Sequence, residues 1–307
     1  MRTIFIFTRR SILLFLRDKS TVFFSFLSTL VLVALYFLFI GKTYADGMAE
    51  MVGNFLSTDA VYSLVYVQMI VGVLVLNSLS LSIGAFSTIA HDFENKRIDS
   101  FLLTPINPSS LLISYFSGGF IISFSLNTFT WLLSILVIGI AFGYWASVSA
   151  VLAVSGVLLF ASMVSCSLML LFTALVKSSA AIGVFSGIAG TFFGFLCGIY
   201  MPYEMLGKGV EAVGSALPLT HITIWLKQIV LQDAFANLSV SNAFQAPMLE
   251  SFSAQSVGFL GMNASLGIML LYTAIFALIC LFVSERLVRR RLDTYSRPTP
   301  KPTQSKV

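Results

Sequence analysis

Charge is what this sequence has least of. Asp, Glu, Lys and Arg make up 10% of its 307 residues, against about a quarter in a soluble domain whose surface must be wetted. That shortage excludes an ordinary water-soluble fold. Cysteine is scarce as well: Cys166, Cys197 and Cys280 are dispersed in apolar stretches with no CxxC spacing, which argues against a disulfide framework and against a metal site. The two histidines, His91 and His221, are expected on opposite sides of a membrane and cannot form one site. Each reads as a surface or interface residue. No HExxH, EF-hand or nucleophile-elbow pattern with triad partners occurs. The fragment Gly41-Lys42-Thr43 resembles the end of a phosphate-binding loop, but Tyr36 stands where that loop needs its first glycine. The chain is therefore expected not to be an enzyme by itself and to bind no cofactor.

What it has in quantity is apolar sequence. Residues 22–40, 61–90, 100–176, 178–203 and 251–284 carry no Asp, Glu, Lys or Arg, and about 20 apolar residues suffice for a helix to cross the hydrocarbon core. The 100–176 stretch is long enough for two crossings, divided near Gly139, Gly143, Tyr144 and Trp145, where glycine relaxes the backbone and the aromatic rings favour the headgroup layer. The expected fold is an all-α polytopic membrane protein with six transmembrane helices, at 22–40, 61–83, 119–142, 148–176, 180–200 and 264–284. The 61–90 run exceeds one crossing, so that helix should tilt or project into the cytoplasm. The first run is too long for the core of a cleaved signal peptide and is expected to be retained.

Basic residues set the orientation. With the N-terminus inside, 15 of the 18 Lys and Arg residues fall on the cytoplasmic side, leaving Lys42, Lys208 and Lys227 outside. Lys and Arg are retained on that side, so both termini are expected in the cytoplasm. The net charge of +5 then marks topology and contact with membrane lipid, and no nucleic-acid partner is implied.

Between and around the spans, five segments stand out. Residues 1–21 form an amphipathic interfacial helix, with Arg2, Arg9, Arg10 and Arg17 within about a 100° arc. Residues 91–108 hold a dense mixed-charge cluster between two spans; Pro105 and Pro108 stop a short cytoplasmic helix ending at Thr104, and Ser109 and Ser110 start the next. Such a knob is what a soluble partner can grip. Residues 201–218, bracketed by Pro202 and Pro218 and carrying Glu204 and Glu211, suit a re-entrant element dipping in from outside. Residues 219–263 follow as an outer segment, with Trp225 and Lys227 near the headgroups. Residues 285–307 form a basic cytoplasmic tail, disordered beyond 297. The spans themselves hold Gln68, Asn77 and Asn127 with many Ser and Thr but essentially nothing ionisable. Polar uncharged groups glue helices together. The lack of ionisable ones counts against ion-coupled carriers and channels, and points to a cytosolic NTPase as the energy source.

Four features in order resemble the ABC-2 type permease family, the membrane subunits of many bacterial drug, glycan and lipid exporters. They are Arg17-Asp18-Lys19 before the first span, the loop from Glu94-Asn95-Lys96-Arg97 to Leu102-Leu103-Thr104-Pro105, the 202–218 segment, and Leu217-Pro218-Leu219-Thr220-His221. The resemblance implies a multi-pass protein of the bacterial inner membrane. It would act as a homodimer or heterodimer of permeases, with two ABC ATPase subunits docked inside and ATP and Mg bound there. It places ATPase coupling on Glu94, Lys96, Arg97 and Asp99, with Arg17 in the inner helix, and the re-entrant pair on 202–218. The outer segment is longer than in compact glycan exporters, which tilts the expected cargo toward a drug, an antimicrobial peptide or a lipid. A secondary carrier and a non-transport scaffold stay open as alternatives.

Overall fold

The computed structural model describes residues 2–35, 41–52, 56–95, 97, 107–176, 179–200, 206–255 and 266–295. Regular structure among them is entirely helical. Helices form in all the expected apolar runs: α2 (Lys19–Leu35), α4 (Thr58–Glu94), α5 (Pro108–Phe142), α6 (Val148–Leu175), α7 (Ser179–Leu196) and α11 (Leu266–Tyr295). Shorter or more polar helices lie between them: α1 (Arg2–Arg17), α3 (Gly41–Val52), α8 (Lys208–Ser215), α9 (Pro218–Asn237) and α10 (Asn242–Ser251). Four helices, α4, α5, α6 and α11, are long and apolar enough to cross a membrane. Among the described residues α2 and α7 are shorter, at 17 and 18.

The boundaries follow local chemistry. Asp18 accepts from the Thr21 hydroxyl at 2.6 Å and the Thr21 N–H at 3.1 Å, capping α2 where α1 stops. Those hydrogen bonds hold its carboxyl below the usual carboxylate range. Asn107 caps α5 by accepting from the Ser109 N–H, with Pro108 in the first turn. Gly143, at φ 73°, ends α5 at the expected break, and Ser147 caps α6.

The core is built around α4. Along its membrane-length stretch α4 is 89% buried, against 28% for α5 and α11, so α4 is enclosed by the other helices while most of α5 and α11 is left uncovered by this chain. Their uncovered side chains are accordingly apolar: Phe129, Leu132, Leu136 and Ile140 on α5; Leu271, Leu278 and Phe282 on α11. Polar groups on α4 need protein partners because neither water nor lipid can satisfy them. Asn77 donates to the Asn127 side chain at 3.0 Å, and Asn127 donates to the Leu74 carbonyl at 3.1 Å. Ser78 meets Ser165 at 2.9 Å, and Ser82 donates to Ser123 at 3.3 Å. This ladder ties α4 to α5 and α6 and matches the reading of these residues as helix glue.

Three expectations are corrected. First, the span expected at 61–83 continues to Glu94, and its 37 residues cover roughly 55 Å at 1.5 Å each, in keeping with a helix longer than one crossing. His91, Asp92 and Glu94 therefore belong to this helix rather than to a separate loop. The short helix expected to end at Thr104 falls outside the described residues. Second, α11 runs on to Tyr295, so the basic cluster at 286–291 is helical rather than part of a loose tail. A Glu285–Arg289 pair one turn apart, at 2.8 Å, reinforces it. Third, within the expected outer segment, residues 218–237 are a buried helix. They form α9, packed against α4 and α6, with Leu219, Ile222, Ile224 and Leu226 buried. Lys227 and His221 are buried with them: His221 Nε2 lies 2.8 Å from the Ser215 carbonyl, and Lys227 is held by backbone carbonyls.

Candidate functional site: where α1, α4, α5 and α11 meet

The first helix is amphipathic as expected, but it lies against the bundle. Ser11 and Phe15, four residues apart and so on one face, are buried against α5 and α4. The Thr8 hydroxyl donates to the Ser114 carbonyl at 3.3 Å. A Cβ on Gly118 would lie 2.8 Å from Ser11 Cβ, so a glycine is what lets the two helices approach. Gly118→Val should lever α1 off α5, with a loss of about 1–3 kcal/mol typical of overpacking. A lower thermal midpoint and faster trypsin cleavage after Arg17 would show it, and an unchanged midpoint would refute the close approach.

Arg10 sits beside that buried face and reaches across to α4. Its guanidinium makes two parallel hydrogen bonds to Asp92, at 2.8 and 3.0 Å, a bidentate fork that is strong and geometrically specific. Tyr115 on α5 donates its hydroxyl to Asp92 at 2.8 Å, and Arg97 lies 3.7 Å from the other carboxylate oxygen. The Asp92 side chain is 1% exposed while that of Arg10 is 26% exposed. Burial alone would lower the Arg10 pKa, but hydrogen bonding and charge from Asp92 outweigh it and raise the pKa above its ordinary value. Nearby, Glu285 on α11 accepts from the Ser109 hydroxyl at 2.9 Å, and Arg289 donates to Glu285 at 2.8 Å and to Ser109 at 2.6 Å. Four helices are thus tied at one end by charged and hydroxyl groups.

Around this knot lie some of the residues singled out from sequence. Arg17 is exposed in the last turn of α1, where a cation suits the helix dipole. Glu94 is exposed at the last position of α4, with His91 3.7 Å away; a carboxylate there opposes the helix dipole. Arg97 is exposed as well. Lys96 and Asp99 lie outside the described residues, as do Pro202 and Glu204. At the other end Glu211 occupies the first turn of α8, and Pro218 is buried in the first turn of α9. These two begin successive helices.

Sequence reading passed over Arg10 as a partner, and Asp92 and Tyr115 altogether. A signal existed: Asp92 follows Phe86, Ile89 and Ala90 along the buried side of α4, so an acid falls on an apolar stripe. Asp233 was passed over too. It accepts from the Tyr144 hydroxyl at 2.6 Å, from the Ser147 N–H at 3.1 Å and from the Ser147 hydroxyl, fastening α9 to the α5–α6 turn.

A charged knot, a helix docked across it and exposed charges at its rim gather at this one end of the bundle. The profile of the ABC-2 type transporter family matches residues 2–231. The chain belongs to the ABC-2 type transporter family. The match takes in α1 to α8 and most of α9, so the docked helix and the α4 end lie inside it, while α10 and α11 lie beyond. No curated protein matches the chain. As an ABC-2 permease it is a multi-pass membrane protein, the permease component of a transporter family whose members pair with an ABC ATPase subunit.

Proposed function

We propose that this ABC-2 permease is the membrane subunit of an ATP-driven exporter in the bacterial inner membrane. It forms the path for an amphipathic or lipophilic cargo (a drug, an antimicrobial peptide or a lipid), while a separate ABC ATPase binds ATP and Mg. Two permeases, identical or paralogous, flank the path. Six crossings complete the topology. The 18 residues of α7 reach about 27 Å, close to the ~30 Å hydrocarbon thickness, and α2 begins the first crossing. The basic-residue distribution supports both termini being cytoplasmic.

The observation that carries this reading is the Arg10–Asp92–Tyr115 knot, with Glu94, Arg97 and Arg17 exposed at its edge. A force applied there reaches α4, and through α4 the polar ladder and the centre of the bundle. Glu94, exposed at the last position of α4, puts a carboxylate where another chain can reach it. Lys96 and Asp99 extend the same charged segment, and 202–218, with Glu204 and Glu211, serves as the re-entrant element of the path.

The test is co-expression with candidate ABC ATPases, purification of the complex and reconstitution into liposomes. Movement of a fluorescent phospholipid analogue or a lipophilic dye is expected only with the ATPase and ATP present. Transport by the permease alone under an imposed proton or sodium gradient would instead establish a secondary carrier, the reading that the buried Lys227 favours.

A further inference from the structure

Lys227 is a buried cation with no acidic partner among the described residues. It is 3% exposed on α9, and its ammonium donates to two backbone carbonyls, Gly198 at 3.0 Å and Phe252 at 2.8 Å. Among the described residues no carboxylate lies within ion-pair distance of it. Both carbonyls belong to turns that end helices. α7 stops at Leu196 and turns through Gly198 at φ 61°, and α10 stops at Ser251 with Phe252 as its C-cap. Each helix C-terminus carries roughly half a negative charge. Two converging on one ammonium supply about a unit of opposing charge without a carboxylate. Beside them lies a cavity of about 10 Å³ lined by Tyr44, Gln68, Tyr200 and Lys227 itself, room for about one water able to accept the third ammonium hydrogen.

We propose that Lys227 is a positioning residue that pins three elements together: α9, the turn after α7 and the turn after α10. By holding those turns it keeps this end of the bundle shut. Naming that end the outer one rests on the topology proposed above; the pin itself does not. Removing the ammonium leaves two buried carbonyls unsatisfied and two helix ends without their counter-charge, so the turns should separate.

The test uses the full chain alone in lipid nanodiscs, with spin labels at Thr191 and Glu250, both exposed, and labelled chains diluted with unlabelled ones. Lys227→Met keeps the apolar stem and removes the charge. A second, longer distance population absent from the native chain is expected. Should Lys227→Met not reach the membrane folded, the same labels are read in Lys227→Gln, which can still donate to one carbonyl. Lys227→Ala should regain the native distances with n-butylammonium but not with n-butanol. Native distances in a folded Met or Gln variant would overturn the pin, as would equal rescue by the alcohol, since volume rather than charge would then be what matters. Neither ATPase nor cargo is needed, so failure here is separable from failure of the exporter reading.

Discussion

Arg10→Gln is expected to be among the most destabilising single changes where α1 meets the bundle. The substitution removes a bidentate partner from a carboxylate that cannot reach water, because the Asp92 side chain is 1% exposed. Breaking a buried pair from one side costs about 3–5 kcal/mol, mostly as the penalty of the stranded charge. Tyr115 still donates at 2.8 Å, but Arg97, at 3.7 Å, is too distant to replace the fork. The reverse substitution should be milder. In Asp92→Asn the guanidinium of Arg10, already 26% exposed, can turn its head toward solvent. The measurable signature is non-additivity: Arg10→Gln combined with Asp92→Asn should unfold at a higher temperature than Arg10→Gln alone, since no buried charge remains. Trypsin should cut fastest after Arg17 in the Arg10→Gln single variant, where α1 has come loose. Strictly additive losses would mean that the two residues do not act as a pair.

The second large effect is functional and should leave stability alone. Glu94→Lys, on an exposed side chain, is expected to move the unfolding free energy by no more than about 0.5 kcal/mol. If the end of α4 receives the thrust of the ATPase, the same change should reduce ATP-dependent transport about 5–150-fold, the usual span of a coupling free energy. The check is transport in proteoliposomes holding the permease and its ATPase, beside the thermal midpoint of the permease alone. Glu94 is a cleaner probe than Arg97, which also faces the buried Asp92. Deleting the whole loop would be worse still, because residues 91–94 are the last turn of α4 and Asp92 anchors α1. Undiminished transport in Glu94→Lys would move the coupling contact to the chain beyond Arg97.

These expectations differ in how far they could be drawn from sequence. That Glu94 and Arg97 lie beside the membrane on a charged rim follows from their place after a long apolar run, because hydropathy is a property of the chain read in order. The positions of α5, α6 and α7 were legible for the same reason, helped at the α5–α6 break by Gly143 and the neighbouring aromatics. The Arg10–Asp92 fork was not legible. It joins residues 82 positions apart, and a helical wheel shows only that Arg10 shares an arc with other arginines. It cannot say that one of them turns inward while its neighbours face out.

Residue 219 onward shows the limit from the other side. From sequence, Trp225 and Lys227 place part of an outer segment near the headgroups. Instead α9 is enclosed by α4 and α6, so its polar groups are satisfied by Ser215, Gly198 and Phe252 carbonyls rather than by water. Composition measures how readily a segment leaves water. It does not reveal whether protein has replaced the water.

The sequence by itself determined that this chain is built to sit in a bilayer, roughly where its helices lie and that no ATPase motif accompanies them. Each follows from runs and counts along the chain. Only the tertiary structure decided which charges are buried and what meets them: Asp92 an arginine from the first helix, Lys227 the carbonyls at the ends of two others. A buried charge is tolerable only where the fold brings distant donors or acceptors to it, and that convergence exists in space rather than along the chain.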